Sequence, residues 1–470
     1  MPAPLAAILT VAFIIFLFRR DVRAHPNITR ALWLPFIWMV INGSRAVTEW
    51  LRLCGFSVGG SLEEGSPIDR LFYIVLIVAG VMVLRRRNVR LGQLMRNNQW
   101  LAAFLIYCLL SVLWSDFPFV ALKRWIKVIG HPIMVLIILT EPDPEAAFVT
   151  VMKRVAYILL PVSVLFIKYY PELGRDYSAW SGAAIHTGIT TNKNLLGLDC
   201  LIMGYFFFWH FLNTRLRPRS RVRRNELILC GVFLFMTAYL FNHANSQTPQ
   251  TALALGVFML LFLGSKLVNK RMIGTYIITG VIALVVCQGL FDIYGVVLGL
   301  LGRDATLTER TLLWRDLLKM DINPILGAGF ESFWMGDRLA YLWRVWNFRP
   351  NQAHNGYLET YLNLGLIGLF MLLGLLVATY AKARRDLSRS FEWGRFRLGF
   401  LASSIIYNWT EAGFKTVGFV FFMFYIIAID FPKRQPTLFG RGVSKRRELI
   451  GQATEPVSLS GLRAEERSVG

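Results

Sequence analysis

The sequence is poor in charge. Asp, Glu, Lys and Arg make up 17% of its 470 residues, where a soluble domain carries about a quarter. Hydrophobic residues reach 55%, which argues against a soluble enzyme, a disordered chain and a nucleic-acid module. Cysteine is scarce too: Cys54, Cys108, Cys200, Cys230 and Cys287 form an odd, scattered set with no CxxC pair. Most lie in apolar runs, so they read as small core residues, not as a disulfide framework or metal site. No HExxH, P-loop or GxGxxG pattern is present, and the outward segments defined below hold no DxD-type acidic pair. No internal repeat is evident, which weakens a transporter built from inverted repeats.

What the chain has is long apolar runs. A membrane span needs about 20 mostly apolar residues, somewhat fewer where polar groups are buried against other helices. Candidates lie near 4–18, 31–43, 71–84, 100–115, 119–139, 153–169, 195–212, 226–241, 250–265, 272–298, 356–380, 398–411 and 416–431. Nothing alternates apolar and polar like a barrel strand, and backbone amides cannot stay unpaired in lipid. The expected fold is all-α: a polytopic transmembrane helical bundle of about 12–13 spans, with one large periplasmic loop containing short helices. The first segment has no positive residues ahead of it, so it reads as a retained span rather than a cleaved signal peptide.

Charge sets the orientation. Lys and Arg number 51 against 29 acids, a net charge of +22. The basic residues cluster between spans, at Arg19–Arg30, Arg85–Arg96, Arg215–Arg224, Lys266–Arg271, Lys382–Arg397 and Lys433–Arg447. Alternating the spans puts every cluster on one side, as the positive-inside rule requires of cytoplasmic loops. Five segments follow: 1–99, N-terminal helices; 100–301, a central bundle; 302–355, a large periplasmic loop; 356–431, C-terminal helices; and 432–470, a basic cytoplasmic tail. The large loop recurs in tryptophan, at Trp314, Trp334, Trp343 and Trp346. Such aromatic density argues for a folded, functional loop. The aromatics would either stack on sugar rings or mark the interface belt.

Three outward motifs carry chemistry. In the first, Thr306 and Glu309 have capping-box spacing, predicting a short helix to about Met320. Arg310, Leu313, Trp314 and Leu317 then share one face, so Arg310 either aims at the bundle or snorkels beside a nearby acid. In the second, Asn351-Gln352-Ala353-His354-Asn355-Gly356-Tyr357, only His354 of the six histidines combines polar neighbours with the exit of a long outward loop. It can take a proton from a hydroxyl near neutral pH, or serve as a capping or interface residue. His210 reads as buried packing, His186 as a weaker candidate, and His243 as either.

The third motif, Thr190 to Gly197, sets Asn192, Lys193 and Asn194 at the outward start of a span. Free N–H groups and the helix dipole add there to the lysine charge, an anion-binding arrangement; the alternative is a snorkelling lysine with an Asn cap. Upstream, Lys168, Tyr169, Tyr170 and Arg175 add aromatic and cationic groups. Lys123, Arg124 and Lys127 fall within the outward half of a span, where cations face a cavity or a partner. They line the same anionic site or pair at the interface. Together the motifs supply Arg, Lys, Asn and His with almost no carboxylate, a set suited to a diphosphate and a hydroxyl acceptor.

The runs GRDATLTERTLLW (302–314), NPILGAGFESFW (323–334), QAHNGYLETYLNLGLIGL (352–369) and TGITTNKNLLG (187–197) resemble the bacterial O-antigen ligase and exopolysaccharide-polymerase family. The resemblance covers about residues 100 to 430. It implies an inner-membrane glycosyltransferase that takes a glycan from an undecaprenyl-diphosphate carrier on the periplasmic side. The acceptor would be a lipid-core sugar in a ligase or a growing glycan in a polymerase. It implies no metal and no cofactor, with the bilayer and lipid-linked sugars as partners and no nucleic acid. By resemblance, Arg303 and Arg310 hold the diphosphate, Arg310 and His354 are catalytic, and Asn355, Asn192, Lys193 and Asn194 match the HN and NKN motifs. Trp314 and Arg175 join them as candidate substrate contacts. Glu309 stands where relatives often have Gly, and could pair with Arg310. Gln352 stands where polymerase relatives often carry a second histidine. The competing reading is a transporter or flippase of a lipid-linked glycan, which would place its charged groups at the bilayer midplane.

Overall fold

A computed structural model describes residues 1–24, 29–59, 65–177, 182–280, 282, 310–414 and 418–431. The first hydrophobic run forms α1 (Ala3–Ala24), and α2 (Trp33–Asn42) and α3 (Val47–Leu53) follow. Next come α4 (Pro67–Arg86), α5 (Leu91–Asn97), α6 (Gln99–Leu110), α7 (Pro118–Leu139), α8 (Pro144–Tyr169) and the single turn α9 (Pro171–Gly174). After a short hairpin, α10 (Lys193–Arg215), α11 (Arg221–Ala244) and α12 (Gln247–Gly264) complete the central part. The loop holds α13 (Arg310–Leu318) and α14 (Gly336–Val345), and the chain returns through α15 (Gly356–Arg389), α16 (Phe391–Thr410) and α17 (Phe419–Ala428). The protein is a multi-pass, nearly all-helical bundle.

Helix starts coincide with cap chemistry. Ser66 accepts from Ile68 N (3.2 Å) ahead of Pro67, Asp143 from Ala146 N (3.0 Å) ahead of Pro144, and Ser220 from Arg223 N (3.1 Å). Each side-chain oxygen satisfies one of the orphan amides of a first turn. Among the described residues, α4, α8, α10, α11, α12 and α15 are long and apolar enough to cross a membrane by length and composition. The bent pair formed by α5 and Gln99–Trp114, turning by 105°, is a broken span or a re-entrant loop. Helix α7 is as long, but Lys123, Arg124 and Lys127 dilute its apolar run, while α2 and α17 are short. The apolar windows of α8 and α10 are 72% and 78% buried against 22% for α4, so these two form the centre of the bundle. Helix α10 packs on α11 and α12, and α16 on α12 and α15.

One departure from the all-helical expectation is small: Arg175–Tyr177 (β1) and Ala184–His186 (β2) pair antiparallel. Its strands are too short to show the alternation by which a strand is read from sequence. The expected span 272–298 is helical over 273–280; most of its remainder, the capping box at Thr306 and Glu309, Arg303, and the tail from residue 432 lie outside the described residues.

The loop that precedes α15 is bound to the bundle by a break in that helix. Gly365 has φ 64° and interrupts the helix, freeing backbone groups on both sides. The Asn323–Gly329 run fills them: Leu366 N donates to Pro324 O (2.9 Å), Ile367 N to Ile325 O (3.3 Å), and Ala328 N to Leu362 O (3.0 Å). Tyr107 Oη donates to Leu364 O at 3.0 Å. With these partners a broken helix is tolerated within an apolar bundle. A Cβ on Gly365 would collide with the Ile325 carbonyl, and one on Gly327, at φ +73°, with Leu364 N. Two glycines thus let the two backbones meet. Above this joint the loop has its own core, in which Leu313, Leu317, Phe333, Leu339, Leu342 and Ala353 are buried.

Candidate functional site

Three chain segments converge just beyond the end of α16. The first is the start of α10. Asn192 caps the helix, its Oδ1 accepting from Asn194 N (3.1 Å) and Leu195 N (3.0 Å). Arg45, in the α2–α3 connection, steadies the approach by donating to Thr190 O through Nε (3.3 Å) and Nη2 (3.2 Å) and to Leu173 O. The side chain of Asn194 points across the bundle, where Ser246 Oγ donates to its Oδ1 at 3.2 Å.

The second is α13. Its buried Leu313 and Leu317 anchor one face in the loop core, and Arg310, on the same face one turn earlier, is thereby carried against the bundle. Its guanidinium donates to the Thr410 carbonyl and, at 3.0 Å, to Glu411 Oε1.

The third is the entry to α15. The Ala353 peptide is held from both sides: its N–H donates to buried Glu359 Oε2 (2.8 Å), and its carbonyl accepts from Trp314 Nε1 (2.7 Å). Glu359 also accepts from Trp334 Nε1 at 2.6 Å. Clamped in this way, His354 adopts φ 49°, a left-handed conformation that a residue with a Cβ rarely takes. Asn355 then caps α15, accepting from Tyr357 N (3.0 Å) and Leu358 N (3.1 Å). Gly356 lets this helix start pack directly on Asn408, whose Oδ1 occupies the space a Cβ would need.

All three segments meet at Glu411. Its Oε1 accepts from Arg310 Nη2 and from Asn194 Nδ2 (3.3 Å), and its Oε2 lies 3.1 Å from His354 Nδ1. The carboxylate side chain is only 6% exposed, while His354 and Arg310 are 23% and 20% exposed. Burial alone would raise the Glu411 pKa; the His354 hydrogen bond and the Arg310 charge overcome it and hold the carboxyl below its ordinary range. An ionised carboxylate only accepts, so the His354 proton belongs on Nδ1. The 3.4 Å approach of Gln352 Nε2 to the same nitrogen is then a contact rather than a hydrogen bond. Nε2 keeps the lone pair, and the imidazole is partly open to solvent. A histidine oriented this way by a carboxylate can accept a proton and be stabilised once charged.

The structure therefore gathers Arg310, His354 and Asn194 on one carboxylate, with Asn192 and Asn355 as the caps that aim their helices there and Trp314 as a brace for His354. Lys193 opens α10 beside them, and its side chain makes no ion pair among the described residues. Arg175 is engaged elsewhere: Nε and Nη2 donate to Ile167 O at 3.0 and 2.8 Å, capping the end of α8. Arg124 donates to Glu331 O in the loop, and Lys127 lies over the Tyr73 ring at 4.2 Å. His210 is buried, stacked on Phe206, and 3.2 Å from Glu226 Oε1. His186 and His243 pack edge to face with ring centroids 4.9 Å apart.

Glu411, Glu359 and Arg45 escaped the sequence reading. Glu411 had a signal: it ends the run 398–411, and an acid at the edge of a span in an acid-poor chain marks a paired or functional group. Glu359 sits inside an apolar helix, but its task is visible only once Ala353 folds back onto it.

The sequence model of the O-Antigen ligase family matches residues 232–373. The matched stretch includes α12, the loop with Arg310 and His354, and the broken first part of α15; it ends before Glu411 and begins after Asn194. The chain is also similar to the exopolysaccharide production protein ExoQ of Rhizobium meliloti (strain 1021), at 25% identity over 297 residues. That alignment covers 62% of this chain and 66% of the relative's length.

Proposed function

We propose, from the match to the O-Antigen ligase family model and the similarity to an exopolysaccharide production protein, that this protein is an inner-membrane glycosyltransferase. It transfers or polymerises an oligosaccharide from an undecaprenyl-diphosphate carrier on the periplasmic face and needs no metal. The observation that carries the reading is the junction at Glu411, where an arginine, a histidine and the start of α10 converge.

The chemistry follows from that junction. An acceptor sugar hydroxyl attacks the anomeric carbon of the donor from the face opposite the diphosphate. The new C–O bond forms as the C–O bond to phosphate breaks, inverting the centre, and the electron pair leaves with the lipid diphosphate. The hydroxyl proton passes to His354 Nε2, and Glu411 stabilises the resulting imidazolium. Negative charge grows on the departing oxygens, where Arg310, Lys193 and the positive end of the α10 dipole favour the transition state over the ground state. A diphosphate is a good leaving group, so a weak base suffices.

The test is a transfer assay with the purified protein in lipid, a lipid-diphosphate oligosaccharide and a chelator. Longer glycans on the carrier identify a polymerase, and transfer to an added lipid core identifies a ligase. His354→Ala and Arg310→Ala should each abolish transfer at matched protein level. Undiminished product from either variant refutes the assignment. Movement of the carrier between leaflets with no new glycosidic bond would replace it with transport.

A further inference from the structure

At the far end of α15 from His354 lies a second, unassigned feature: a cleft of about 470 Å³ lined by Lys270, Arg271, Tyr380, Arg384, Arg385 and Ser388. Two elements form it. The turn Lys270–Met272 follows α12, and the last turns of α15 face it. Of the four cations, only Arg385 has an ion-pair partner among the described residues, Asp430. Lys270 Nζ lies over the Phe391 ring at 3.8 Å, and Arg384 Nη2 donates to the Arg271 carbonyl at 3.2 Å. These contacts place the cationic groups without neutralising them. The Tyr380 hydroxyl is buried and has no hydrogen-bond partner among the described residues. Leu263, Ile273, Ala383 and Leu387 form an apolar core under the cleft, and Tyr380 and Phe391 pack against it.

The surface of α15 leads into this cleft. Phe370, Leu373 and Val377 are 64%, 48% and 67% exposed. Their spacing continues through Ala381 and Arg384 to Ser388, one face of a helix. An exposed apolar stripe thus runs along the span and ends at a cluster of four cations, of which Arg385 is paired with Asp430, beside a tyrosine. That is the outline of an acyl chain below and a phosphate above, and basic pockets between helices at headgroup depth suit acidic lipids. The basic clusters flanking the spans put this end of α15 in the cytoplasmic leaflet.

We propose that the cleft binds the phosphodiester of an anionic phospholipid, with Arg271, Arg384 and Lys270 on the phosphate oxygens, Tyr380 donating a hydrogen bond, and an acyl chain along Phe370–Leu373–Val377. The site stands apart from the glycosyl-transfer reading and can be tested without it.

The test uses the full-length protein in nanodiscs of zwitterionic phospholipid doped with phosphatidylglycerol, with retained lipid counted by native mass spectrometry. Wild type should retain phosphatidylglycerol selectively, and R271A/R384A should bind it about tenfold more weakly. Tyr380→Phe, which removes one oxygen and keeps the fold, should weaken it several-fold. R219A/R221A, on another basic connection of the same side, should leave it unchanged. Equal loss in R219A/R221A would reduce the effect to general surface charge and overturn the proposal. So would equal retention of zwitterionic lipid, or wild-type retention in both R271A/R384A and Tyr380→Phe. Inorganic phosphate at millimolar concentration should leave the lipid in place; full displacement would reassign the cleft to a soluble anion.

Discussion

Replacing Glu411 by Gln tests the junction most directly, because it keeps the shape of the side chain and removes its charge. In the wild type the carboxylate faces His354 Nδ1 at 3.1 Å and Arg310 Nη2 at 3.0 Å. As His354 takes the acceptor proton, a new ion pair forms with Glu411. Two unit charges about 4 Å apart interact by about 4 kcal/mol at an effective dielectric of about 20. The carboxylate is 6% exposed but His354 is 23% exposed, so water on the imidazole side reduces this to about 3 kcal/mol. At about 1.4 kcal/mol per decade, kcat should fall about a hundredfold. The KM for the donor should hold steady or fall, because the substitution releases Arg310 from its carboxylate and leaves its full charge for the diphosphate. The assay is steady-state transfer in proteoliposomes at varied donor concentration. Stability should respond to pH in a matching way. The Glu411 pKa is depressed in the folded protein below its ordinary value of 4.5, so its stabilisation is present above that value and lost as pH falls through the folded pKa. The wild type should therefore lose thermal stability below about pH 4.5 more steeply than Glu411→Gln does. A Glu411→Gln enzyme with kcat within threefold of wild type, or with a kcat loss matched by a rise in KM, would refute the role given to Glu411.

The Arg310→Lys and Glu411→Gln changes share one contact, so their combined effect on kcat/KM should fall short of the sum by about 1 kcal/mol or more; a double-mutant cycle measures this. Gly365→Ala should lower folded yield sharply, because φ 64° is unfavourable for a residue with a Cβ and the Ile325 carbonyl fills the space; detergent-solubilised monomer recovery on size exclusion reads it. Lys193→Ala should raise the donor KM about tenfold with folding intact, since the side chain makes no ion pair among the described residues; a titration of lipid-linked donor checks it.

Helices α4, α8, α10, α11, α12 and α15 were legible because their cause is compositional: apolar residues in runs of helical length must become helices in lipid. The Asn cap at the start of α10 was legible for a local reason, since an Asx cap acts on amides two and three residues ahead; the cap at Asn355 was not, that residue standing only as part of the HN motif. The amphipathic face of α13 was legible as well, and Leu313 and Leu317 are buried as its period requires. The break in α15 was not. Gly365 stands in a run of leucine and glycine that reads as continuous helix, and its reason lies in the carbonyls of Pro324 and Ile325, some forty residues upstream.

The centre of the site was hidden by the same locality. Arg, His and Asn motifs are recognisable singly, because each sits in a polar context at a loop or helix start. Glu411 carries no such context; it follows a buried helix and precedes a turn, and its three partners come from residues 194, 310 and 354. A reading that counted cations therefore inferred a site almost without carboxylates, suited to holding a diphosphate by charge alone. The structure changes that arithmetic. One carboxylate offsets the charge of Arg310, so Lys193, which makes no ion pair among the described residues, supplies positive charge beside the junction together with the α10 dipole. In the proposed transfer, Arg310 shifts its interaction to the leaving diphosphate as Glu411 engages the newly charged His354. Proton transfer on one side of the carboxylate and charge development on the other are then linked through a single residue. That linkage gives a reason for a glutamate where a search for anion-binding residues would not place one.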